Sequence, residues 1–180
     1  MDAGQLQSKR PRSALAGSYG HPVHPILVTL PIGAWVCSFV FDLVSYGSSE
    51  PRIWSVGSMW LLLIGVIGAA LAAIFGVLDL LNLPRRSAAF STGRLHAILN
   101  SVALVIFLID FIWRTNTRDN WDSAPVGPLV LSIIGLAVIS VSGFLGGKLA
   151  YRYGIRVAEE SVQAEGFGAS AKQISSRRSS

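Results

Sequence analysis

Three histidines, His21, His24 and His96, are the side chains of this 180-residue chain best suited to chemistry. A neutral imidazole can ligate a metal or haem iron through one ring nitrogen while its other nitrogen is oriented by a carboxylate, amide or carbonyl. Asp79, Asn82 and Asn100 are polar side chains of the kind that could orient it. His96 and Asn100 are four residues apart and share a helical face. In His21-Pro22-Val23-His24-Pro25 each histidine precedes a proline and is pushed towards extended backbone, whereas Pro25 suits the first turn of a helix. His24 is therefore expected at a cap or pre-cap position, held at a fixed angle over whatever follows. Pro31 removes the hydrogen bond to Leu27 and kinks the same helix one turn deeper.

The elements that must position these residues are membrane spans. The chain is 51% apolar and only 14% charged, against about 25% charged in soluble proteins. Its apolar residues gather in four blocks, from about Ile26 to Tyr46, Ile53 to Leu83, Leu95 to Trp113 and Pro128 to Gly147. Each suffices to cross about 30 Å of hydrocarbon, which takes roughly 20 helical residues. Period-two alternation is absent, so barrel strands are excluded and the fold class is all-α, an integral membrane bundle of four transmembrane helices. A mobile N-terminal segment, 1–20, is expected before this domain, 21–157, and a disordered tail, 158–180, after it. Cys37 is the only cysteine, which excludes an intramolecular disulfide, a four-cysteine cluster and covalent haem attachment. No cleavable leader is expected.

Basic residues predict the orientation. The N-terminal segment, the second connection and the tail together carry twelve Lys and Arg, and the first and third connections carry three, Arg52, Arg114 and Arg118. Cationic segments stay cytoplasmic, so both termini are expected on that side of the membrane. Trp54, Trp60, Trp113 and Trp121 fall near the opposite interface, and Tyr151 and Tyr153 follow the fourth span. The same placement accounts for the pI of about 9.9 without invoking nucleic acid.

With that topology His24, Asp79, His96 and Asn100 converge on the cytoplasmic half of the bundle. Ionisable residues within spans are functional candidates by default. The expected cluster has His24 and His96 as cofactor or metal ligands, with Asp79 as a third metal ligand or, together with Asn100, as an orienting partner. The alternatives stay open: His24 and His96 as a hydrogen-bonded pair closing helix ends, His21 as an interfacial residue, and Asp79 reaching to Arg85 or Arg86. Asp110 has Arg114 one turn on, an ion pair expected at the outer interface. Asp42 lacks a local partner and is expected to be solvated or paired with Arg52.

Small residues mark close helix contacts in lipid. Gly68, Ala72 and Gly76 form one row in the second span, with Gly65, Ala69 and Ala73 beside it, and Gly135, Gly143 and Gly147 share a stripe in the fourth. A compact bundle or a dimer seam explains them better than a glycine-lined cofactor slot.

The His-Pro-x-His-Pro opening, Asp79 at the end of span two, His96 with Asn100 opening span three, and the Gly146-Gly147-Lys148-Leu149-Ala150-Tyr151 exit together resemble the bacterial membrane proteins grouped as domain of unknown function 2231. The resemblance covers about Gly20 to Val157. It implies an inner-membrane protein without an established activity. Some relatives carry a fused Rieske-type ferredoxin domain, which implies an electron-transfer setting and a redox protein partner. This chain lacks the Cys/His pairs of a Rieske centre and cannot hold that cluster itself.

Three functions are compatible with these residues. One is a module binding b-type haem, or a single iron or other metal ion, between the first and third spans. Another is a non-catalytic assembly or accessory subunit, alone or as a homo-oligomer. A third is a small-solute or proton pathway through Asp79 and the histidines. No span end shows a nucleophile with its base and orienting group, so catalysis is not favoured.

Overall fold

The computed structural model describes residues 3–11 and 13–167. Among these residues there is no β-strand. Seven α-helices follow in order: α1 (Ala3–Lys9), α2 (Val23–Leu27), α3 (Thr29–Ser45), α4 (Pro51–Leu80), α5 (Ala88–Thr117), α6 (Val126–Gly147) and α7 (Glu160–Glu165). Four helical stretches are long and apolar enough to cross a membrane: Val23–Ser45, Pro51–Leu80, Ala88–Asn120 and Val126–Arg152. The fold is thus the expected bundle of four spans.

Local chemistry explains the boundaries. Pro31 leaves the Leu27 carbonyl without its helical donor, and the first span breaks at Val28 between α2 and α3. Pro51 occupies the opening of α4, where its missing N–H is no loss. The third span begins well before Leu95, because the Ser87 side chain caps α5 by accepting the Phe90 N–H. A π-helical turn, Lys148–Arg152, prolongs α6 past Gly147.

The burial pattern is that of a protein dissolved in lipid. Large apolar side chains such as Ile53, Ile74, Val105 and Phe144 face outward. The interior holds Trp35, Leu62 and Phe107 together with fully buried serines, Ser38, Ser55 and Ser58. Helices that gain little from hydrophobic contact in a bilayer are held by close packing and interhelical hydrogen bonds.

The bundle is also two copies of one hairpin. Val23-His24-Pro25-Ile26-Leu27 corresponds to Leu95-His96-Ala97-Ile98-Leu99, 72 positions on. Val56-Gly57, Leu61 and Ile64-Gly65 correspond to Val126-Gly127, Leu131 and Ile134-Gly135, 70 positions on. The contacts repeat as well. Phe41 lies against Gly57 as Trp113 lies against Gly127; Trp35 against Gly65 as Phe107 against Gly135; His24 against Gly76 as His96 against Gly146. Each of these glycines makes room for an aromatic ring, because a Cβ there would fall 2.2–3.1 Å from a ring atom. These six glycines therefore serve ring-on-backbone packing within each hairpin, whereas Gly68 lies against Leu30 and Pro31. Gly143 and Gly147, expected on the same contact stripe, face open space.

Each end of the bundle is tied down. At the end bearing α1 and the segment after α6, the Asn82 amide donates to the Gln7 and Arg10 carbonyls and Lys9 donates to the Val157 carbonyl. The N-terminal segment, expected to be mobile, thus contains a helix joined to the bundle by hydrogen bonds with residues distant in the sequence. The tail beyond Phe167 lies outside the described residues. At the far end, the Tyr46 hydroxyl and Ser55 hydroxyl donate to the carbonyls of Ala124 and Asp122, drawing the third connection over the bundle mouth.

Candidate functional site

His24 and His96 meet between the two hairpins, at the end where α1 and the segment after α6 lie. Their ring centroids are 6.3 Å apart and the ring planes lie at 88°. His24 is not a cap: the cap is Pro22, and His24 sits within the first turn of α2. Its Nδ1 is 2.9 Å from the Ala72 carbonyl oxygen on α4. The His96 Nδ1 is 2.8 Å from the Ser142 carbonyl oxygen on α6, at the corresponding place in the second hairpin. A carbonyl only accepts, so Nδ1 is the donor in both rings and each neutral imidazole keeps its lone pair on Nε2. Asn100 independently fixes the second ring. Its amide nitrogen lies 3.0 Å from His96 Nε2 and donates to it, while also donating to the His96 carbonyl. Both histidines and Asn100 remain half-buried.

Asp79 takes a different partner. Its carboxylate lies 3.2 Å from Nε of Arg156, a residue almost fully buried. Arg156 also donates to the Ala16 carbonyl through Nη2, and its own N–H donates to the Ser8 carbonyl. Its backbone is left-handed, with φ of 61°, a conformation uncommon outside glycine. The expected partners Arg85 and Arg86 are therefore replaced by an arginine from the C-terminal segment, and Asp79 anchors the cap beneath the bundle. Among the described residues no group of three or more His, Cys, Asp and Glu gathers closely enough to hold a metal ion. The set His24, His96 and Asp79 does not assemble as a three-ligand site, because Asp79 is committed to Arg156.

A second polar centre lies towards the far end of the bundle, and sequence reasoning dispersed its members. Asp42, Asp110 and Arg114 are each fully buried. Arg114 uses all five of its N–H groups: Nε donates to Asp110 at 2.8 Å, Nη1 to Asp42 at 2.6 Å and to Ser58 at 3.1 Å, and Nη2 to Asp42 at 2.8 Å and to Ser132 at 3.4 Å. Asp110 accepts a further bond from Ser132 at 2.7 Å. The one-turn pair of Asp110 and Arg114 forms as expected but is sealed from solvent instead of lying at an interface. Asp42 is neither solvated nor bound to Arg52, which pairs loosely with Asp119 and Asp122. The signal available in the sequence was the internal repeat, in which Asp42 and Arg114 are equivalent positions.

Between the two centres Trp35 and Phe107, again equivalent in the repeat, stack at 4.1 Å with planes 14° apart. The bundle axis thus carries three tiers, each built from one residue of α2 or α3 and its counterpart on α5: two imidazoles, two aromatic rings, and an opposite-charge pair. The middle tier is buried and closely stacked, and it separates the polar tiers.

An all-helical bundle with four apolar spans, a polar interior and a lipid-facing apolar surface defines an integral membrane protein. The chain belongs to the family described as predicted membrane protein (DUF2231), whose family profile matches residues 20–159. No curated protein and no solved structure matches it.

Proposed function

We propose that the protein is a redox module of the bacterial inner membrane in which His24 and His96 would hold a b-type haem. The observation that carries this reading is the pair itself. Two imidazoles from equivalent positions of the two hairpins each have Nδ1 engaged by a backbone carbonyl and Nε2 free of a proton. Ligating histidines are held in this way, with the second nitrogen donating to a carbonyl or carboxylate. The ring centres lie 6.3 Å apart, so His24 and His96 would be the two residues to hold one group between the hairpins. Haem is favoured over a bare ion because a macrocycle supplies four ligands and asks only two of the protein, and no third ligand gathers among the described residues. When bound, the group would supply one-electron chemistry. The protein's own contribution would be to fix both rings through the Ala72 and Ser142 carbonyls. A redox partner would approach from the basic, cytoplasmic side.

Protein purified in mild detergent from iron-replete cells should show a Soret band and one iron per chain. His24→Ala and His96→Ala should each abolish the band while the helical circular dichroism signal is kept. Wild-type protein with neither band nor stoichiometric iron would discard the haem reading. The accessory-subunit reading would then lead, supported by the Asn100 donation to His96 Nε2, which satisfies that nitrogen without any metal. An open solute or proton pathway is the least supported of the three, since the stacked middle tier interrupts any polar route along the axis.

A further inference from the structure

The polar tier at the far end has an unbalanced charge. One guanidinium faces two carboxylates, Asp42 and Asp110, and all three side chains have no exposure. The other groups that reach this network are hydroxyls, Ser58 from α4 and Ser132 from α6, with Ser38 bonded behind Ser58. The charged residues of the connections above, Arg52, Asp119 and Asp122, are exposed and lie near one another. A net negative charge enclosed in low dielectric is strongly disfavoured, and such a site takes up a proton instead.

We infer that this network is a proton-binding site and that Asp110 holds the proton. Asp42 is clamped by two short bonds to Nη1 and Nη2 of Arg114, a bidentate arrangement that requires both oxygens to accept. Asp110 gives only one oxygen to Arg114, and its other oxygen lies 2.7 Å from the Ser132 hydroxyl. That contact works in either direction. A protonated Asp110 donates to Ser132 at the same distance at which an ionised one accepts from it. The site is closed by the third connection, where Ser45 Oγ accepts the Ala124 N–H, Ser123 donates to the Ser45 carbonyl and Ser55 donates to the Asp122 carbonyl. Exchange of the proton with solvent therefore requires that connection to lift.

Infrared spectroscopy of the full chain in lipid at neutral pH tests the assignment. A carbonyl stretch of a protonated carboxylic acid should be present in the wild type and should shift on slow exchange into deuterium oxide. It should be lost in Asp110→Asn and kept in Asp79→Asn. It should shift in frequency in Ser132→Ala, which removes the hydrogen bond without touching the charges and so serves if Asp110→Asn does not fold. Absence of the band in the wild type, or a band unmoved by both Asp110→Asn and Ser132→Ala, would overturn the proposal.

Discussion

Asp42 and Arg114, 72 positions apart and equivalent in the two hairpins, form a bidentate ion pair of 2.6 and 2.8 Å with neither side chain exposed. Two copies of one hairpin have thus acquired opposite charges at the same place, and the charges lock α3 to α5 across the bundle. Removing one partner of a buried pair leaves the other uncompensated, at about 3–5 kcal/mol. Arg114→Ala should lower stability by that order, read by unfolding in mild detergent. Arg52→Ala, which breaks only loose and exposed contacts, should leave the transition nearly unchanged. Equal effects of the two substitutions would refute the claim that the buried pair holds the bundle.

The repeat makes a second, graded expectation. A methyl group added at Gly65 would fall 2.2 Å from the Trp35 ring nitrogen, at Gly135 2.6 Å from Phe107, at Gly76 2.9 Å from His24 and at Gly146 3.1 Å from His96. Overpacking of this kind costs about 1–3 kcal/mol. Gly65→Ala and Gly135→Ala should therefore be the most destabilising of the set, and Gly146→Ala the mildest. Gly143→Ala and Gly147→Ala meet open space within the chain and should leave its stability unchanged. A change of oligomeric state in either of the last two, read by light scattering in detergent, would mark that stripe as a seam between copies.

The spans were legible because each block is apolar over a length that only a bilayer explains, and the His24–His96 encounter was legible because both histidines open spans that run in the same direction. Asp42 was misread for a physical reason: its partner lies on another helix, and local spacing reveals only partners one turn away, as it did for Asp110 and Arg114. Asp79 was misread in the same way, since Arg156 lies beyond the fourth span, far from Asp79 in the sequence, and local spacing pointed to Arg85 and Arg86 instead. The conformational start of α5 was hidden by Ser91, Thr92 and Arg94, polar residues that a strong Ser87 cap carries into the helix.

Arg156 ties Asp79 to the N-terminal segment, and the cap at that end should depend on it. Arg156→Ala removes the side-chain bond to Ala16 and the contact with Asp79 while the four spans keep their packing. Limited proteolysis should then cut more rapidly within residues 3–20 and after Val157, with the span fragment still protected. Unchanged cleavage rates would show that the cap is held by Asn82 and Lys9 without this contact.

The basic residues predict that both termini lie on the cytoplasmic side. A reporter active only in the periplasm should be silent when fused after residue 180 and active when inserted into the third connection near Asn120. Activity at the C-terminal fusion would reverse the orientation and, with it, the side from which a redox partner reaches the histidines.

The two histidines are equivalent by position but not by bonding, and the difference separates ligand from structural roles. His24 has one hydrogen bond from its ring, to Ala72, whereas the His96 ring contacts the Ser142 carbonyl, the Ser142 hydroxyl and the Asn100 amide. A net hydrogen bond contributes about 0.5–1.5 kcal/mol, and leaving a buried partner unsatisfied costs about 1–3 kcal/mol. If the rings only pin helices, His96→Ala should therefore destabilise more than His24→Ala, by about 1–2 kcal/mol on that scale, and Asn100→Leu should reproduce part of the difference. If they share one iron, the two substitutions should instead remove it equally, and Asn100→Leu should leave it bound. Thermal unfolding and iron content measured on the same three variants distinguish the cases, because unequal stability with no iron in any sample excludes a shared ligand role.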